Sequence, residues 1–373
     1  MFKTVLVLGH FRGIRMEIHI SWVIILALLL VTMSAGLYQQ YPNWSLTMAI
    51  TTATITALLF FASIVAHELG HSLVAIKRGI PVQAITLFIF GGMAQMSRDS
   101  DNPNDEFWIA IAGPLVSLAL ALLFGILALL TAGLYQPITV GLGWLALINL
   151  IVAIFNMIPG FPLDGGRVFR AIVWKVTGDA RKGINAAVRG GRIVAYLLFA
   201  VAFWNMLVIG NLIGGVWLLL IGWFLITMAE AQGRMFDMRE QLADVRAGDL
   251  ADRNVPMVGP DTSVATWIDD AVLRGGYRAF VVGRADQVHG LVTLSDVGKV
   301  ARERWPDTPV TEIMTRRGAL TVVTPETPAQ EVLQLMTEQD LNQIPVMAGE
   351  QVVGWINREQ LLRTIQMHRS LKA

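Results

Sequence analysis

His67 and His71 stand four residues apart, with Glu68 between them, in the run His67-Glu68-Leu69-Gly70-His71. On a helix, positions four apart share one face, so the two imidazoles can hold one metal ion. Glu68 is then placed to take a proton from a water on that metal. The chemistry these residue types permit is metal-assisted hydrolysis. Between residues 48 and 76 no other side chain is charged, and the run is long and apolar. An ionisable group at the centre of a bilayer costs several kcal/mol, about 2.5–3.5 on insertion scales, so such groups read as functional.

Two histidines do not complete a hydrolytic zinc site, which usually has three protein ligands and an open position. Cysteine is absent from the chain, so the third ligand must be another histidine or a carboxylate. Asp164 stands in Asn156-Met157-Ile158-Pro159-Gly160-Phe161-Pro162-Leu163-Asp164-Gly165-Gly166-Arg167, where prolines and glycines break a helix. Irregular backbone at membrane depth is tolerated where it lines a protein-enclosed or wet cavity, and a carboxylate there can point inward. Glu17 and His19 are rivals, with interfacial solvation as their simpler reading.

The elements that must position these groups are membrane spans. Of the 373 residues, 54% are hydrophobic and 15% charged, against about 25% charged in ordinary soluble chains. The deficit lies in residues 1–236, while 237–373 have the mixed charge of a soluble domain. A span needs about 20 apolar residues, and six candidates meet that: 19–38, 48–76, 107–133, 138–158, 192–209 and 212–229. Residues 19–37 read as a retained first span, without the pattern of a cleavable signal.

Charge orients the spans. Lysines and arginines flank one side, including Arg12, Arg15, Lys77, Arg78, Arg98, Arg167, Arg170 and Arg234. The opposite loops, 39–47, 134–137 and 210–211, contain none. This bias places both termini and the soluble tail in the cytoplasm of a multi-pass cell-membrane protein. His67 and His71 then lie roughly 9–15 Å inside the cytoplasmic boundary, at about 1.5 Å per residue. Net charge is +1 and no basic tract is present, so nucleic acid is not an expected partner.

A membrane-embedded His67-Glu68-x-x-His71 followed two spans later by Asn156, Pro159, Leu163, Asp164 and Gly165 resembles the site-2 protease family of intramembrane metalloproteases. Ile18-His19-Ile20-Ser21-Trp22, Phe90-Gly91-Gly92 and Ala112-Gly113-Pro114 resemble further family marks. The resemblance implies that His67, His71 and Asp164 bind one Zn2+ per chain, that Glu68 is the general base, and that Asn156 holds substrate or the developing oxyanion. It also implies a membrane β-hairpin. Residues 80–97, rich in β-branched and aromatic side chains, are expected to form it, with the edge at 86–90 pairing with an extended substrate strand. Read from the residues alone, Ala112-Gly113-Pro114 serves helix packing and a kink, and Asn149, Asn205 and Asn211 serve as interhelical glue.

The tail carries an internal repeat of about 64 residues, pairing Phe280-Val281-Val282 with Ile344-Pro345-Val346 and Gly290-Leu291-Val292 with Gly354-Trp355-Ile356. Each copy reads as a helix between short strands, as in 264–274 followed by 279–283 and 288–293, and the tail resembles a tandem pair of cystathionine-β-synthase-type (CBS) domains, over about 249–305 and 310–368. In that family an S/T-x-x-D motif holds a ribose. Thr293-Leu294-Ser295-Asp296 matches it, while Asn357-Arg358-Glu359-Gln360 does not, which implies at most one adenine-nucleotide site, at Thr293 and Asp296. The simpler reading is that the pair only dimerises or restrains the protease.

The expected fold is therefore a polytopic α-helical membrane protein of about six transmembrane helices with a membrane β-hairpin, over 1–236. A soluble α/β CBS pair follows over 237–373. The expected function is an intramembrane zinc endopeptidase in regulated intramembrane proteolysis. Its partners are a transmembrane protein substrate, membrane lipid, an adenine nucleotide at the tail and a second copy through the CBS pair. The competing class is a CBS-gated transporter or channel, but six spans without an internal repeat fit transport poorly.

Overall fold

A computed structural model describes residues 4–89, 91–242, 245–272, 277–284, 287–359 and 361. It divides into two compact units, Met1–Arg234 and Met235–Ala373.

In the first unit, six helices are long and apolar enough to cross a membrane. They are α1 (Ser21–Gln40), α2 (Leu46–Lys77), α3 (Pro103–Leu130), α4 (Gln136–Asn156), α6 (Ala180–Leu207) and α7 (Leu212–Gln241), with the shorter α5 (Asp164–Thr177) between α4 and α6. Their ends follow local chemistry. The Ser45 side chain accepts from Met48 N at the start of α2, Asn102 caps α3 ahead of Pro103, and Gly178 ends α5 in the left-handed region at φ 69°. Leucines and isoleucines such as Leu122, Leu129, Ile193 and Leu220 stay exposed on these helices, as suits side chains that face lipid. The chain is a multi-pass membrane protein. The fifth spanning helix starts twelve residues earlier than its apolar run, because Asp179 caps it by accepting from Arg181 N and Lys182 N.

The anticipated hairpin is part of a larger sheet. β1 (Thr4–Phe11), β2 (Ile14–His19), β3 (Val82–Phe88) and β4 (Gly91–Met96) form four strands in the order β1-β2-β3-β4. β2 and β3 run parallel, with Arg15 opposite Ala84 and Ile18 opposite Leu87. Ile14, Val82 and Ile85 of this sheet share a buried cluster with Ile80 just before β3, Ala75 of α2 and Ile109 of α3. The expected pairing edge is corrected here. β3, which carries residues 86–88, is held on both sides, so the outer strand beside it is β4. The N-terminal strand pair had no sequence signal strong enough to announce it, and it occupies the edge that β3 would have offered. Phe90 lies outside the described residues.

In the second unit, β5 (Ala279–Arg284) pairs antiparallel with β6 (Gln287–Thr293) in one sheet. β7 (Gln343–Ala348) and β8 (Gln351–Asn357) pair antiparallel in another, as the repeat predicts. Val264, Trp267, Phe280, Val282 and Val292 fill one core, while Val332, Met336, Ile344, Val346 and Ile356 fill the second. The helix expected over 264–274 is a short α-turn, Val264–Thr266, followed by a π-helical segment, Trp267–Val272. Its last two residues and the repeat beyond 361 fall outside the described residues.

Candidate metal centre

α2 and α3 approach closely where the histidines sit. A Cβ on Gly70 would stand 2.9 Å from Val116 Cγ2 and 3.1 Å from the Ala112 carbonyl oxygen. This contact buries His67 and His71, which are 5% and 4% exposed. α3 then fixes both rings from behind. His67 Nδ1 lies 2.9 Å from Ser117 Oγ, and His71 Nδ1 lies 2.7 Å from the Ile109 carbonyl oxygen. A carbonyl only accepts, so His71 carries a proton on Nδ1, and the neutral ring turns Nε2 as its acceptor towards the metal side. Outer partners of this kind orient metal-binding imidazoles.

The third member arrives from the first residue of α5. Asp164 Oδ2 lies 3.1 Å from His67 Nε2 and 3.2 Å from His71 Nε2, and the two Nε2 atoms are 3.2 Å apart. Three ligands on one tetrahedral zinc, with bonds of about 2.0–2.1 Å, stand about 3.3 Å from one another. The trio therefore fits a zinc ion in both donor type and spacing, and among the described residues it is the group of histidines and carboxylates able to hold one. Lone pairs brought this close repel unless a cation or proton lies between them.

Two glycines keep this space open. A Cβ on Gly113 would fall 2.1 Å from His71 Nε2 and 2.6 Å from His67 Nε2. The Ala112-Gly113-Pro114 segment thus does more than allow packing, since its glycine clears the face on which the ligands meet. A Cβ on Gly92 of β4 would fall 2.4 Å from Glu68 Cγ, which sets the outer strand directly against the glutamate. Asn156 ends α4 half-buried, and among the described residues its amide makes no hydrogen bond.

The rival ligands are engaged elsewhere. Glu17, buried rather than solvated, accepts a hydrogen bond from Thr86 Oγ1 at 3.1 Å, and His19 Nδ1 lies 2.7 Å from Ser21 Oγ. The asparagines expected to bridge helices instead bond their own backbone: Asn149 Nδ2 donates to the Leu145 carbonyl, Asn205 Nδ2 to the Val201 carbonyl, and Asn211 Oδ1 accepts from Gly214 N.

Reading the residues one by one also missed an ionic cluster at the N-terminal end of α3. Glu106 is 1% exposed and accepts from Arg167 Nε at 3.0 Å and Nη2 at 3.4 Å, with Arg170 Nη1 at 3.7 Å. The Glu106 carboxylate holds the Arg167 guanidinium charged, above its already high ordinary value. A glutamate at the mouth of an apolar run, with two arginines three residues apart elsewhere, was the available signal.

In the tail, Thr293 and Asp296 do come together, but on each other. Asp296 Oδ2 accepts from both Thr293 N and Thr293 Oγ1 at 2.8 Å, and Oδ1 pairs with Lys299 Nζ at 2.7 Å.

Similarity to known proteins agrees with both units. The profile of Peptidase family M50 matches residues 55–141 and 134–201, and that of the CBS domain matches 247–302 and 310–366. A provisionally named zinc metalloprotease of Synechocystis is 38% identical over 96% of this chain and 94% of its own length. A zinc metalloprotease of Methanocaldococcus jannaschii is 30% identical over 95% of this chain and 94% of its own. Among solved structures, a site-2 protease from Methanocaldococcus jannaschii is 31% identical at a TM-score of 0.42, covering 61% of this chain and 95% of that one.

Proposed function

We propose that this chain, which belongs to peptidase family M50 and is a zinc metalloprotease with tandem CBS domains, cuts a transmembrane protein within or near its membrane segment. The observation that carries this reading is the meeting of His67 and His71, on a helix long and apolar enough to span a membrane, with Asp164 of α5 within 3.2 Å, and with Glu68 adjoining. These three residues would hold the metal, and a bound zinc would supply Lewis acidity that brings the pKa of a water towards about 7. Glu68 takes the proton of the attacking water on its carboxylate and returns it to the leaving amine nitrogen. Asn156, whose amide makes no hydrogen bond among the described residues, donates to the substrate carbonyl as charge builds on the oxygen. A helical substrate hides its carbonyls in its own hydrogen bonds, so it must unwind first. β4, the outer strand against Glu68, is where the unwound segment adds as a further strand.

The basic flanks on one side of the spans support a cytoplasmic tail and termini. The tail's part in this reading is restraint or dimerisation more than tight nucleotide capture. A carboxylate has about four lone-pair sites, and Asp296 already takes three donors from its own chain. No observation favours transport.

Purified full-length protein should carry about one zinc per chain and cleave a single-span model substrate. Glu68→Gln should retain the zinc and lose cleavage by about 10²–10⁴-fold. Equal cleavage by the two proteins removes Glu68 from the reaction.

A further inference from the structure

Residues 106, 109, 113 and 117 follow one another along α3 in steps of three or four, and so share a face. Each serves the trio of Asp164, His67 and His71 in a different way. Ile109 supplies the carbonyl behind His71, Gly113 the cleared space, and Ser117 the hydroxyl beside His67. Glu106 touches none of the three, yet it is a buried carboxylate gripped by α5 through Arg167. Arg167 stands three residues after Asp164, on the same side of α5.

We propose that Glu106 is the positioning residue for Asp164: through Arg167 it locks the first turn of α5 onto α3, so that Asp164 reaches the two histidines. The inference rests on the metal-ligand reading above.

The start of α5 needs such a lock. Leu163 at its N-cap makes no side-chain capping bond, and the residues before it, 157–163, form no regular element. His67 and His71 sit in mid-helix, where every turn fixes them, whereas Asp164 sits at a helix end fed by a broken loop. A two-pronged guanidinium–carboxylate pair fixes direction as well as distance. Its cost of burial is recovered only when both partners are present. The neighbouring pair at the same end of α3, Arg78 Nη1 with Asp105 Oδ1 at 2.8 Å, is more exposed and joins α2 to α3 without α5. It is the natural control.

The test is zinc affinity of the purified full-length protein by chelator competition, with cleavage kinetics alongside. Glu106→Gln and Arg167→Gln should each weaken zinc binding by about 10–100-fold, the usual effect of losing an outer partner. The double variant should be no worse than Glu106→Gln alone, since that single already loses the contacts of Glu106 with both Arg167 and Arg170. Excess zinc should restore kcat with KM for the peptide unchanged, which a general loss of structure would not allow. Asp105→Asn should leave zinc affinity as it was. Should Glu106→Gln not accumulate as folded protein, Arg167→Lys, which keeps the charge but loses the fork, should give an intermediate loss. Wild-type zinc affinity in the Glu106 and Arg167 variants, or an equal loss in Asp105→Asn, overturns the proposal. Wild-type affinity in Asp164→Asn would instead overturn the ligand reading beneath it.

Discussion

The membrane unit and the tail each bring a sequence motif into a tight cluster, and the two clusters are opposite in kind. In the membrane, His67, His71 and Asp164 turn their acceptor atoms toward one point, and α3 has bonded the far side of both rings so that they must face it. In the tail, Asp296 is bonded by Thr293 and Lys299 of its own chain. The same carboxylate chemistry serves both. What differs is whether the chain's own donors reach the carboxylate first. Asp164 lies beside acceptors and a helix end without a capping side chain, whereas Asp296 lies within reach of the backbone N–H and hydroxyl three residues back. A motif is open to a ligand when its surroundings cannot satisfy it.

The sharpest way to break this comparison is to fill the space where the acceptors meet. Gly113→Ala would place a carbon 2.1 Å from His71 Nε2. Zinc content and cleavage should both vanish, while the protein still extracts and migrates as wild type. A zinc-replete, active Gly113→Ala enzyme would mean that the convergence is not the metal site.

A smaller effect is expected at the outer strand. In an antiparallel ladder alternate N–H groups point away from the partner strand, so proline at Met93 or at Ala94 removes an outward donor in one case and a ladder bond in the other. One of the two should lower cleavage of a helical substrate by about tenfold, the value of about one hydrogen bond, with zinc retained. Unchanged cleavage in both would exclude strand addition on β4.

The smallest effect is expected in the tail. Asp296→Ala should cost about 1 kcal/mol of the stability of the second unit, as for loss of a cap, measured by denaturant unfolding followed on tryptophan emission. Titration of AMP or ATP into the full-length protein should release little heat. A tight isotherm that Asp296→Ala abolishes would turn the tail cluster into a ligand site and erase the contrast.

Much of the candidate site was legible before any coordinates. His67 and His71 are related by a helical step, and Asp164 is marked by the proline and glycine residues that break α4 from α5. Apolar run length placed the spans, the strand pattern placed β5 and β6 to within a residue, and the repeat pointed to β7 and β8. Other features escaped the sequence. β2 pairs in parallel with β3 across nearly 70 positions of chain, a long-range choice that local pattern does not carry, and it moves the free edge from β3 to β4. Arg167 and Arg170 were counted among the flanking charges that orient the spans, although both also face the buried Glu106.

The sequence by itself determined which groups can do chemistry, that they lie in apolar helices, and which side carries the positive charge. These are properties of composition and of local period, and a chain carries them wherever it goes. Only the tertiary structure decided that Gly113 is the opening, that β4 lies over Glu68, that Glu106 grips the helix bearing Asp164, and that Asp296 bonds Thr293 and Lys299. The physical reason is that burial and hydrogen-bond satisfaction belong to pairs of elements, and a pair exists only once packing has chosen it.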